Sequence, residues 1–204
     1  MQPRINEMVK KTYQYFYIDG LPELTSGCMF LLAGLWLVSI ALVENPTTIA
    51  LLSAVCLPVL IIGGVLVQNR MLRVLKERIT YPRTGYVDYR RRRPDRKRWV
   101  LLATIFLVSF IGIIIPDAWY ELPLGIGIIL GLTHFYLGYR LSIRRFYFAG
   151  VVAVMVGILS ATMLPNEVLG VGLVFLITGL TLVTSGGWVF MQYIRSHPVV
   201  NEVA

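Results

Sequence analysis

Few side chains in this sequence are placed by type and surroundings to do chemistry. His134 stands inside a long apolar run, with Thr133 and Tyr136 beside it in sequence. Apart from the weakly acidic Cys and Tyr side chains, it is the one ionisable group well inside such a run. An ionisable side chain there is by default a functional candidate. The structural alternative is a neutral imidazole that hydrogen-bonds across helices. As a general base it would need a nucleophile in reach, and none is evident. Thr178, Thr181 and Ser185 lie opposite a glycine stripe and would line a polar path, with His134 as a further intramembrane polar group. Hydroxyls at such positions more often bond the carbonyl one turn back. Pro58 interrupts another apolar run, with Gly63-Gly64 following. A proline frees a backbone carbonyl, which marks a binding site, a hinge or a fixed packing kink.

The other chemically marked segment is basic. Arg70, Arg73, Lys76, Arg78, Arg83, Arg90, Arg91, Arg92, Arg93, Arg96, Lys97 and Arg98 stand against only Glu77, Asp88 and Asp95. This segment alone carries more positive charge than the net +8 of the whole chain. A membrane-surface cluster of this kind attracts anionic lipid at about 1 kcal/mol per basic side chain. It also suits an acidic partner, while the plain alternative is a solvated loop that only sets topology. The contact candidates are Arg70, Arg73, Arg83, Arg90–Arg93, Arg96, Lys97 and Arg98. Nucleic acid is not expected, because neither a binding fold nor an aromatic platform accompanies the charge. Met71, Leu72, Leu75 and Ile79 keep a helical stripe, so a helix is expected to continue into this segment, with an Arg73–Glu77 pair at i,i+4. Tyr81-Pro82-Arg83-Thr84-Gly85-Tyr86 reads as a turn.

Several chemistries lack their residues. No Gly-x-Ser-x-Gly elbow, His-Glu-x-x-His helix or phosphate-binding glycine loop occurs. No Cys/His spacing suggests a metal, and no cofactor is expected. Cys28 and Cys56 fall at different expected depths, which argues against a disulfide. No Asp, Glu, Lys or Arg is expected deep in a span, which disfavours a proton-coupled transporter.

The elements that must position these groups are membrane helices. Hydrophobic residues make up 56% of the 204 residues, against roughly 45–50% in soluble domains. The excess forms runs long enough to cross a bilayer. The expected spans are Thr25–Val43, Ile49–Val67, Trp99–Ile115, Leu122–Tyr139, Phe146–Leu164 and Val168–Met191. Three short acidic connectors with proline, Glu44–Thr48, Pro116–Glu121 and Pro165–Glu167, close them into hairpins. All 19 Lys and Arg residues fall on the other side of that pattern. The positive-inside rule then places both termini and both basic loops in the cytoplasm. The expected fold is therefore all-α: a polytopic bundle of six transmembrane helices in three hairpins. Its order is an N-terminal segment (1–24), hairpin one (25–67), a basic loop (68–98), hairpin two (99–139), a short basic loop (140–145), hairpin three (146–191) and a tail (192–204). Trp99, Tyr136, Tyr139, Tyr147 and Trp188 suit the inner interface. No cleavable signal is read, because the first apolar run begins only near Thr25 and no small-x-small site follows it. Within 1–24, Ile5, Met8, Val9, Tyr13 and Phe16 share a helical face, which predicts an interfacial amphipathic helix broken by Asp19-Gly20 and Pro22.

Glycines recur at sevens: Gly20, Gly27 and Gly34; Gly131 and Gly138; Gly150 and Gly157; Gly172, Gly179 and Gly186. Seven residues make two helical turns, so they form stripes that let helices approach closely. Packing within one chain is the first reading; a homo-oligomer or larger membrane complex is the second.

Asp19-Gly20-Leu21-Pro22-Glu23-Leu24, followed by Gly27, and Tyr81-Pro82-Arg83-Thr84-Gly85-Tyr86-Val87 resemble segments of an uncharacterised bacterial six-span integral membrane protein family. The resemblance covers a small part of the chain and brings no activity. It implies a bacterial inner-membrane location and specific roles for Asp19, Glu23, Pro82 and Gly85. The leading expectation is a non-enzymatic accessory or interaction protein whose cytoplasmic face binds anionic inner-leaflet lipid or a partner. A small-solute binding or transport component is the alternative, since size and topology resemble the substrate-binding subunits of energy-coupling-factor importers. A third is a lipid-modifying enzyme that combines His134, or the carboxylates Asp19, Glu23 and Asp88, with arginines at the inner interface. Neutralising Arg90–Arg93 is expected to release a bound partner or lipid in a crosslinking pull-down; unchanged recovery would rule docking out for that cluster.

Overall fold

The computed structural model describes residues 15–43, 45, 63–84 and 122–198. Among these residues every regular element is helical. Helix α1 spans Leu21–Ala41. Helix α2 is α-helical over 63–75, passes through a π-helical turn at Lys76–Thr80, and returns to α over Tyr81–Thr84. Helices α3, α4 and α5 span Leu122–Leu141, Arg144–Met163 and Glu167–Ser196. Four of them, α1, α3, α4 and α5, are long and apolar enough to cross a membrane. They correspond to four of the six expected spans. The third span, Pro58, Cys56, Gly85, the cluster from Arg90 to Arg98, most of the second span and most of the interfacial segment lie outside the described residues.

Helix α1 begins at Leu21 rather than Thr25, and its start is built from the Asp19-Gly20-Pro22 break. Gly20 takes φ 67°, in the left-handed region, where a Cβ is costly. Asp19 Oδ1 accepts the Leu21 N–H at 3.2 Å. Pro22 then sits at the second helical position, where its missing N–H costs nothing. Because the helix starts early, Glu23 and Thr25 belong to its first turns and are buried.

The glycine stripes pack within the chain. Antiparallel α1 and α5 touch backbone to backbone at three levels. A Cβ on Gly27 would meet Gly179 O at 2.8 Å, and one on Gly179 would meet Gly27 O at 2.9 Å. Gly34 has Gly172 O at 2.8 Å, and Gly186 has Gly20 O at 2.9 Å. Helices α3 and α4 repeat the device, with Gly127 against Gly157 and Gly131 against Gly150. Only Ser142 and Ile143 connect them, so Arg140 belongs to α3, and Arg144 and Arg145 to α4, rather than to a loop. Between α4 and α5, Asn166 accepts the Leu169 N–H at 3.1 Å, capping α5. Its amide also donates to Ala41 O at 3.3 Å, which ties in the far end of α1.

Helix α2 continues through this segment as expected, departs from expectation in two ways, and turns inward a face that its apolar stripe does not mark. Tyr81–Thr84 is helical, not a turn. A proline ring clashes with the carbonyl four residues back; here the π turn stands just ahead of Pro82, and the Tyr81 N–H reaches back to Lys76 O. Arg73 and Glu77 are both exposed and make no ion pair among the described residues. The inward face is not the apolar stripe: Met71 is exposed, whereas Gly64, Lys76 and Thr80 are buried. Gly64 faces Met29, and Gln68 Nε2 donates to Ser26 Oγ at 2.6 Å, so α2 lies along α1.

Gly27→Ala forces α1 and α5 apart and is expected to cost about 1–3 kcal/mol, the range of overpacking. Gly125→Ala is the control, since a Cβ there meets nothing within 4 Å. Resistance to unfolding by denaturing detergent should fall for the first variant and hold for the second.

Candidate functional site

The site is a buried ionic brace around the entry to α1. The chain turns at Tyr17–Asp19, with the Gly20 N–H donating to Tyr17 O at 3.3 Å. This turn delivers Asp19 and, one helical turn on, Glu23. Both are buried, at 0% and 1% exposure. A buried carboxylate needs a counter-charge and donors, and two other elements supply them.

From α2, Lys76 Nζ lies 3.2 Å from Asp19 Oδ2. It also donates to Phe16 O and stands 3.7 Å from the centre of the Phe16 ring. Thr80, one turn further along α2, donates its hydroxyl to Asp19 Oδ2 at 2.9 Å. With Leu21 N–H on Oδ1, both oxygens of Asp19 are engaged. Burial pulls the Lys76 ammonium below its ordinary value, and Asp19 draws it partly back. From α4, Arg145 Nε and Nη2 both reach Glu23 Oε1, each at 2.9 Å. The same Nη2 donates to Tyr17 O at 2.7 Å. Glu23 Oε2 is buried and has no hydrogen-bond partner among the described residues.

Aromatic rings join this brace to His134. Tyr17 meets Phe146 edge-on at 5.6 Å between centroids, and Phe146 lies 6.3 Å from the His134 ring. His134 in turn meets Phe30 edge-on. His134 is buried, and its Nδ1 lies 2.7 Å from Leu130 O, one turn back on its own helix. This contact lies within α3 and is not the cross-helix bond that the structural alternative names. Thr181 and Ser185 bond carbonyls of their own helix, Ile177 O at 2.8 Å and Leu182 O at 3.2 Å, as the structural alternative expects. Thr178 differs: it is fully buried and its hydroxyl has no partner among the described residues.

The basic candidates divide. Arg70 and Arg73 are exposed on α2, and Arg83 is half-buried, donating to Ile79 O at 3.0 Å. The residues that form the brace were not among the arginine candidates. Asp19 and Glu23 were marked by the family resemblance, but Lys76, Thr80 and Arg145 carry no local signal. Glu23 sits in the first turn of α1, ahead of the expected start at Thr25, so it is buried in protein without lying deep in a span. A window of hydropathy passes over one carboxylate in a helix's first turn, and its partner lies far along the chain.

Among the described residues no group of three or more His, Cys, Asp or Glu could hold a metal ion. No family model matches the chain, and neither a curated protein nor a solved structure does. Fold and site therefore define the class: an all-helical protein with four helices long and apolar enough to cross a membrane and a charge-balanced brace at one end of its helix bundle.

Removing one partner of a buried pair strands the other charge, at about 3–5 kcal/mol. Asp19→Asn or Lys76→Met alone should lower stability by that order. The double variant should recover part of the loss, because no charge is left stranded. Detergent-unfolding midpoints of the three proteins read this out, and strict additivity would show that the two charges do not act as a pair.

Proposed function

We propose that the protein is a non-enzymatic component of the bacterial inner membrane, with six spans and both termini in the cytoplasm, whose basic cytoplasmic face binds anionic phospholipid. The observation that carries this reading is a sorting of charge at the braced end of the bundle. Asp19 and Glu23 are turned inward and paired. Arg70, Arg73 and Arg78 on α2, Arg144 at the start of α4 and Arg195 near the end of α5 are exposed. Glu77 is the one exposed carboxylate among the described residues at this end. With its acids withdrawn, the surface left outside is almost wholly positive. The segregation of Lys and Arg in the sequence supports a cytoplasmic position for that surface.

A feature of α2 favours lipid over a soluble anion. Val67, Arg70, Met71, Val74 and Leu75 line one open groove, apolar along its floor with an arginine at its side. An acyl chain fits beside the valines and methionine while Arg70 reaches the phosphate. Long basic side chains suit this boundary because their stems are apolar and their heads are not.

The test is native mass spectrometry of protein drawn in mild detergent from vesicles containing phosphatidylglycerol and phosphatidylcholine. Wild type should retain phosphatidylglycerol selectively. At about 1 kcal/mol for each basic side chain, R70Q/R73Q/R78Q/R144Q should lose that selectivity by more than tenfold. Equal retention by the two proteins would overturn the proposal. So would a wild type that carries a stoichiometric protein or small solute and shows no lipid preference.

A further inference from the structure

The brace holds two carboxylates in unequal states. Asp19 has donors on both oxygens: Leu21 N–H on Oδ1, and Thr80 with Lys76 on Oδ2. Glu23 has all its donors on one oxygen. Arg145 spends two N–H groups on Oε1, and Oε2 is left buried and bare. Leaving a buried acceptor without a donor is costly, and more so for a charged group. The groups facing Glu23 do not relieve this. Arg145 comes from α4, Lys76 from α2 and Asp19 from its own entry segment, while α5 meets its Cβ through Gly186.

We propose that Glu23 Oε2 is a proton-binding site, and that loading it releases Arg145 toward the exterior. The step is a simple addition. A proton from water joins Oε2, the carboxylate becomes a carboxylic acid, and no other covalent bond changes. Before it, Asp19 and Glu23 balance Lys76 and Arg145. After it, the brace holds one uncompensated positive charge, which a low-dielectric surrounding penalises. The two cations differ in their way out. The Lys76 side chain is 6% exposed and stays bound to ionised Asp19, whereas that of Arg145 is 22% exposed. Arg145 therefore yields, and its departure also frees Tyr17 O, which it holds at 2.7 Å. Proton binding thus loosens the contact between the entry to α1 and the start of α4, and adds a cation to the basic surface.

Dicyclohexylcarbodiimide, an apolar reagent, probes the first part on wild-type protein in vesicles. It is protonated by a buried carboxylic acid and then captured by the resulting carboxylate, leaving a stable adduct read by mass spectrometry. Glu23 should be labelled increasingly as pH falls from neutral to mildly acidic. Absence of label at Glu23 over that range would overturn the proposal, because the bare oxygen would then hold water beside a permanent carboxylate.

The second part is read at one fixed pH with phenylglyoxal, which modifies accessible arginines. Arg145 should react several-fold faster in E23Q, the neutral counterpart of the loaded state, than in wild type. If E23Q does not fold, wild type already carrying the carbodiimide adduct takes its place. Unchanged reactivity of Arg145 would overturn the coupling even if Glu23 is labelled.

Discussion

Taking a charge out of water requires that an opposite charge go with it, and this constraint organises the described part of the molecule. Asp19 and Glu23 are buried only because Lys76 and Arg145 pair with them. Each cation comes from a different helix, and each also binds a backbone carbonyl of the turn that leads into α1. The turn is thus gripped from two sides. Helix α2 takes a place along α1 that its apolar stripe would not have selected, because its inward face is the one bearing Lys76 and Thr80. The connection between α3 and α4 is reduced to two residues, which sets Arg145 in the first turn of α4, next to Phe146 and the aromatic chain that leads to His134.

Small residues set the distances on which the brace depends. Gly20, Gly27 and Gly34 bring α1 within backbone contact of α5. In lipid there is little hydrophobic contrast between a helix face and an acyl chain, so close backbone contact is what holds helices together. Gly20 serves twice, as the left-handed residue that opens α1 and as the first step of the stripe. One position therefore links the turn that presents Asp19 to the packing that fixes α1.

The parts legible in the sequence are those carried by local pattern. Apolar length marked α1, α3, α4 and α5, and the spacing of sevens marked the glycine faces before any pairing was visible. The hydroxyls of Thr181 and Ser185 also followed a local rule. The brace was not legible, for a physical reason. Glu23 and Arg145 are far apart in the chain, and each alone reads as an ordinary residue at the end of an apolar run. Lys76 was hidden among basic neighbours, and nothing in its surroundings distinguishes it from Arg73 or Arg78. Only the rotation of α2 does, and that depends on Gly64 and Gln68 meeting α1. Tyr81–Thr84 misled because proline and glycine signal a turn, while a π turn ahead of Pro82 lets the helix continue.

The two kinds of contact at this end also differ in how they can yield. A backbone contact stepped at seven-residue intervals has one good alignment, because sliding by a residue sets a side chain against a carbonyl at every level. An ion pair between long side chains can part by rotation about single bonds and leave both backbones in place. Any rearrangement of the braced end therefore has to keep α1 on α5 and move α4 or α2 relative to that pair. Glu23, paired with the more exposed of the two cations from α4, keeps one bare oxygen, while Asp19, paired from α2, has donors on both. The geometry thus separates a fixed half, α1 with α5 and the Asp19–Lys76 clasp, from a releasable half at Arg145. It is the unequal treatment of two carboxylates a helical turn apart that makes this end of the bundle more than a structural plug.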